Sequence, residues 1–161
     1  MNTDEATFTT TAFHQKMAAE LFNETWKLLD KPDRTPEDDA RMSHTAHASR
    51  LHWEFVGSAR NLAIGEWQVS RVHAVLQQPD AALYHATRSL EIAMQHHLGP
   101  FLLACAHEAM ARAIAATQPE AAAEHIATAH RIASGITDPE EKKILDDDLS
   151  SIHVSEGGSI P

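Results

Sequence analysis

The sequence predicts an all-α domain of about seven helices, arranged as antiparallel pairs stacked into a short solenoid. Three observations carry this. Seven prolines and six glycines among 161 residues fall almost wholly between periodic apolar stretches. No stretch alternates apolar and polar residues with β-branched enrichment, so no strand is expected. Two turns, Gln78-Pro79-Asp80-Ala81-Ala82 and Gln118-Pro119-Glu120-Ala121-Ala122, recur at a separation of 40 residues.

The elements follow in order. A first helix is expected from about Thr7 to Asp30, with Phe13, Met17, Leu21, Phe22, Trp26 and Leu29 on a wide apolar face. Thr35-Pro36-Glu37-Asp38 offers an N-cap hydroxyl, a proline at the first helical position and acids in the first turn, and opens a second helix running to about Gly57. That helix carries Met42, Ala46, Ser49, Trp53 and Val56 on one side and Ala40, His44, His47, Leu51 and Phe55 on the other, a pattern expected of a helix covered twice. A third runs from Ser58 through Val69 and Val72 to Leu76, and a fourth from about Asp80 to His97. Gly99-Pro100 separates it from an alanine-rich fifth helix, about Phe101 to Ala116. The sixth ends near Ser134 with Gly135 as its expected C-terminal cap. Asp138-Pro139-Glu140-Glu141 opens the seventh, whose Ile144, Leu145, Leu149 and Ile152 form a narrow apolar face. The expected domain spans residues 7–153, with disordered ends at 1–6 and 154–161.

Composition narrows the function. Thirteen Lys plus Arg against 23 Asp plus Glu give a formal charge of −10, which argues against a phosphate-binding surface and hence against nucleic acid. A single cysteine, Cys105, excludes a disulfide framework and any CxxC motif. Met1 to Thr11 has neither a basic nor an apolar region of a signal peptide, and the longest apolar run, Phe101 to Ala106, is too short to span a bilayer. A cytoplasmic location without membrane association is expected.

The repeat continues beyond its turns: His85 matches His125, Ile92 matches Ile132 and Ala93 matches Ala133. A fainter echo sets His47-Ala48-Ser49-Arg50 beside His85-Ala86-Thr87-Arg88. The small residues Ala82 and Ser89, with Ala122 and Ala129, stand seven apart on the second helix of each pair. In this the chain resembles the tetratricopeptide (TPR) repeat over about residues 60 to 135. It departs in its period, where about 34 residues is usual, and in lacking the signature glycine and tyrosine. The stretch from about Phe22 to Ile92 is also similar to a bacterial family of uncharacterised helical proteins. The resemblance implies a concave surface formed by first helices, with Ile64, Trp67, Arg71 and His107 facing it and Ala82, Ser89, Ala122 and Ala129 buried.

Twelve histidines invite a metal reading that the local spacings oppose. His107-Glu108 begins like HExxH, but Ala111 stands where the second ligand belongs. No Glu-x-x-His occurs, and His44 and His47 alone could share a metal from one helix. No GxSxG, Walker A or GxGxxG motif is present. Cys105 is expected to be a buried, inert thiol. Glu66, Trp67, Arg71 and His107 are the candidate binding residues, because an aromatic one helical turn from a guanidinium suits a peptide or a carboxylate. The competing account makes Trp67 core and pairs Arg71 with Glu66 or Glu91. Asp146 to Asp148, late in the last helix where the dipole disfavours acids, suggest a basic partner. The expectation is a non-enzymatic module, without cofactor or metal, that binds a protein or peptide partner in a helical groove. The alternative is a metal or small-molecule site near His44, His47 and Trp67, enzymatic in one version, and self-association as a homodimer is the third.

Overall fold

The structure is a computed structural model that describes residues 9–154. The described residues form seven helices: α1 (Thr10–Leu29), α2 (Pro36–Val56), α3 (Ala59–Val75), α4 (Pro79–Gln95), α5 (Pro100–Ile114), α6 (Pro119–Ala133) and α7 (Pro139–Ser150). They contain no strand, and none is long and apolar enough to cross a membrane. The expected disordered ends lie outside the described residues except for Val154, which packs beneath α5 and α6.

Local chemistry sets the boundaries. Proline occupies the first turn of α2, α4, α5, α6 and α7, where its missing N–H costs nothing. Thr35 and Asp38 form a reciprocal capping box, and Asp138 accepts from the amides of Glu140 and Glu141. Helix α3 ends in a Schellman turn: Gln77 sits at φ 57°, and the Gln78 amide donates to the His73 carbonyl at 2.9 Å. His97, at φ 49°, closes α4 in the same way through Leu98 and Ala93. The cap expected at Gly135 is not of this kind. Ser134 is the C-cap residue, and Gly135 instead passes close to Pro100, whose Cβ would lie 3.5 Å from an added side chain.

Three antiparallel pairs, α1 with α2, α3 with α4 and α5 with α6, make up the stack. Small residues at their interfaces bring the backbones together. Ala82, Ser89, Ala122 and Ala129 are all buried, as the repeat requires. Ser89 Oγ donates to the Ala63 carbonyl at 2.9 Å, and Ser49 Oγ donates to the Ala18 carbonyl at 2.8 Å in the first pair. Ser49 thus corresponds to Ser89, and Met42, seven residues earlier, to Ala82, so the 40-residue register extends upstream where the His47 and His85 tetrapeptides stand 38 apart.

Helix α2 is not covered twice. Met42, Ala46 and Ser49 are buried between α1 and α3, whereas Ala40, His44, His47, Leu51 and Phe55 face outward. The reason is stacking order: α2 packs on α1 and α3, and α4 lies beyond α3. Helix α1 buries Ala18, Thr25 and Leu28, and leaves Phe13 nearly half exposed. Helix α7 packs chiefly on α5 through Leu145 and Leu149, in a core shared with Ala104, Cys105, Ala129 and Ala133.

Candidate functional site

The first helices of the pairs present Trp26, Ile64, Trp67, Phe101 and Leu102 to a common cavity of about 310 Å³, to which α7 adds Ile144. The Trp26 and Trp67 rings lie 5.6 Å apart, tilted by 43°. Ala63, Ser89 and Cys105 complete the wall. Two polar groups on this wall are engaged: Ser89 Oγ donates to the Ala63 carbonyl, and Trp67 Nε1 donates to Glu108 Oε2 at 3.1 Å. Burial, aided by the Glu108 carboxylate, pushes the Cys105 thiol far up, so it stays protonated. The cavity thus offers apolar contact and little charge.

The charged candidates end elsewhere than expected. Arg71 Nη1 donates to Glu108 Oε1 at 3.2 Å and Nη2 donates to Asp148 Oδ1 at 2.7 Å. Arg112 approaches the same Glu108 oxygen through Nε at 2.7 Å and holds the Asp148 carbonyl through Nη2 at 2.8 Å. Glu108 is only 1% exposed, so two guanidiniums and an indole N–H surround one buried carboxylate. Neither Glu66 nor Glu91 partners Arg71, whose Nη1 and Nη2 are engaged with Glu108 and Asp148. Asp148 is accounted for by this contact, while Asp146 and Asp147 pair with Lys142 and Lys143 one turn earlier.

Glu66 and His107 do not join Trp67. His107 turns toward α6, where its Nδ1 lies 2.9 Å from His125 Nδ1, and Glu108 takes the place expected of it. Burial lowers the pKa of both imidazoles, and for His107 the neighbouring His125 and Arg131 add to this. Glu66 points to the other side of α3. Its Oε1 accepts from Arg50 Nε at 2.9 Å and its Oε2 lies 2.7 Å from His85 Nδ1. Burial raises the Glu66 pKa, but His85 and Arg50 outweigh it and hold the carboxyl below its ordinary range.

His44 and His47 do not form the pair that their spacing allowed. His47 instead meets His73 of α3, Nε2 to Nε2 at 3.1 Å, and its ring lies edge-on to that of His85 of α4 at 5.2 Å. The His73 and His85 rings stack at 5.6 Å, within 6° of parallel. Burial lowers the His47 pKa, and the neighbouring imidazoles, His85 first, lower it further. Sequence reasoning missed His73 and His85 as companions of His47. The repeat signals part of this: it matches His85 with His125, which lie beside His73 and His107 on the first helices of their own pairs, whereas His47 has no counterpart in that register and reaches α3 of the next pair.

Compared with known proteins, the chain matches no family model, no curated protein and no solved structure.

Proposed function

We propose that this chain is a binding module whose groove face, formed by α1, α3 and α5, takes an uncharged apolar group into the cavity lined by Trp26 and Trp67. The observation that carries this is the cavity itself, lined by Trp26, Ile64, Trp67, Phe101 and Leu102. Its volume of about 310 Å³ lies at the lower end of the ~300–1,000 Å³ usual for small-molecule sites. It is too small for a helix and large enough for a fused-ring molecule or a bulky apolar side chain. A charged ligand is disfavoured, because Arg71, Arg112 and Glu108 satisfy one another. This changes the expected ligand from an acidic peptide or carboxylate to an apolar group, and it keeps the groove.

The test uses N-phenyl-1-naphthylamine, an uncharged fluorescent probe. Saturable binding with quenching of tryptophan emission, lost in Trp67→Ala and weakened by the rim substitution Ile144→Gln, is the expected result. Ile144 is half exposed, so that change spares the core. Probe binding indifferent to both substitutions would sink the proposal. Competition by free indole supports a small-molecule ligand, and competition only by peptides bearing an aromatic anchor supports a peptide.

A further inference from the structure

On the side of α3 away from Trp67, His47, His73 and His85 converge from α2, α3 and α4. Each offers one ring nitrogen, and these nitrogens lie within 4.8 Å of one another. Among the described residues this is the one such group of three or more metal-ligating side chains. The other two histidine contacts, His14 with His52 and His107 with His125, join Nδ1 to Nδ1 and gather no third ligand.

The outer nitrogens of the cluster are held. His85 Nδ1 is 2.7 Å from Glu66 Oε2, and His73 Nδ1 is 2.6 Å from Gln78 Oε1. A carboxylate and an amide oxygen can only accept, so a neutral ring at either position carries its proton on Nδ1 and leaves Nε2 bare, and that of His73 lies 3.1 Å from His47 Nε2. A carboxylate or carbonyl behind a ligating imidazole is the usual device for fixing its tautomer and raising its basicity. Each support is itself anchored. Glu66 is buried and braced by Arg50, which crosses Gly65 so closely that an added Cβ would sit 2.7 Å from its Cδ. Gln78 is set by the Schellman turn that also takes the His73 carbonyl.

We propose that His47, His73 and His85 bind one divalent late first-row transition metal, Zn²⁺ foremost, with Glu66 and Gln78 as positioning residues. Two imidazole nitrogens on a tetrahedral zinc, each at about 2.0–2.1 Å, stand about 3.3 Å apart. The His47 and His73 nitrogens, at 3.1 Å, need to part by only a few tenths of an ångström. Three neutral imidazoles suit zinc and its neighbours and are poor ligands for magnesium or calcium. His47 is exposed, so the fourth position opens to solvent and takes water, as in metal sites with three protein ligands.

The experiment is calorimetric titration of the full-length, tag-free chain with Zn²⁺, paired with Co²⁺ absorption. One equivalent of Zn²⁺ and an intense tetrahedral Co²⁺ spectrum are expected. His47→Ala, at an exposed position that carries little of the fold, should weaken Zn²⁺ binding at least about tenfold and abolish the tetrahedral spectrum. Glu66→Gln should keep one site and weaken it about 10–100-fold. His44→Ala and the His107→Ala, His125→Ala double substitution should leave both readouts unchanged. Absence of saturable binding, an octahedral Co²⁺ spectrum, or binding that survives His47→Ala would overturn the proposal. Circular dichroism separates loss of the site from loss of the fold in Glu66→Gln.

Discussion

Arg71 and Asp148 meet at 2.7 Å although 77 positions separate them in the chain. Through this contact, and through Arg112 on the Asp148 carbonyl, α7 is fastened across α3 and α5. The guanidinium that looked free to grip a ligand is thereby a structural tie, and the groove face keeps its aromatic lining without its charge.

Removing Arg71 should therefore cost stability. Arg71→Ala strips Asp148 of its partner and leaves Glu108 with Arg112 and Trp67 alone. Its thermal midpoint should fall by an amount similar to that of Ala122→Leu, which overpacks a fully buried helix contact at about 1–3 kcal/mol. An Arg71→Ala protein melting like the parent would restore Arg71 to the binding surface.

Glu108→Ala should be worse. It leaves two guanidiniums and the Trp67 N–H around a buried site with no acceptor, and breaking a buried pair from one side costs about 3–5 kcal/mol. Lys143→Ala, which removes an exposed and solvent-screened pair one turn apart, should leave the midpoint nearly unchanged. Urea unfolding of the two variants makes the comparison, and equal midpoints would contradict it.

Acid should destabilise the fold through the His107 and His125 pair. Their folded-state pKa values lie below the ordinary histidine value near 6.5, chiefly through burial. Below about pH 6.5 the unfolded chain then binds protons more readily than the folded one. Stability is full above that pH and declines as pH falls from it toward the folded-state pKa values. The melting temperature should drop between pH 7.5 and 5.5, and by less in a His107→Gln, His125→Gln protein. An undiminished drop would assign the effect to other groups.

Cys105 should resist modification in the folded protein. Its thiol is buried and held protonated, so a disulfide exchange reagent should react only as fast as the chain opens and at full rate in denaturant. Rapid reaction in native buffer would show that the cavity wall opens far more readily than its packing implies.

The sequence by itself determined the seven helices and the repeat, because their causes are local. A proline at the first helical position, a Thr35 or Asp138 cap and an alanine seven residues from its fellow each act within a few positions of the chain. The partners of those helices' outward side chains were decided by tertiary structure. Local spacing rules see neighbours three or four residues apart, so they offered His44 for His47 and Trp67 for Arg71. The stack gave His47 to His73, 26 positions away, and Arg71 to Glu108, 37 away. The physical reason is that a side chain's partner depends on the rotation and depth at which whole helices pack. That is set by the sum of many small contacts, such as Ser89 on Ala63 and Arg50 across Gly65, and no short window of residues contains it.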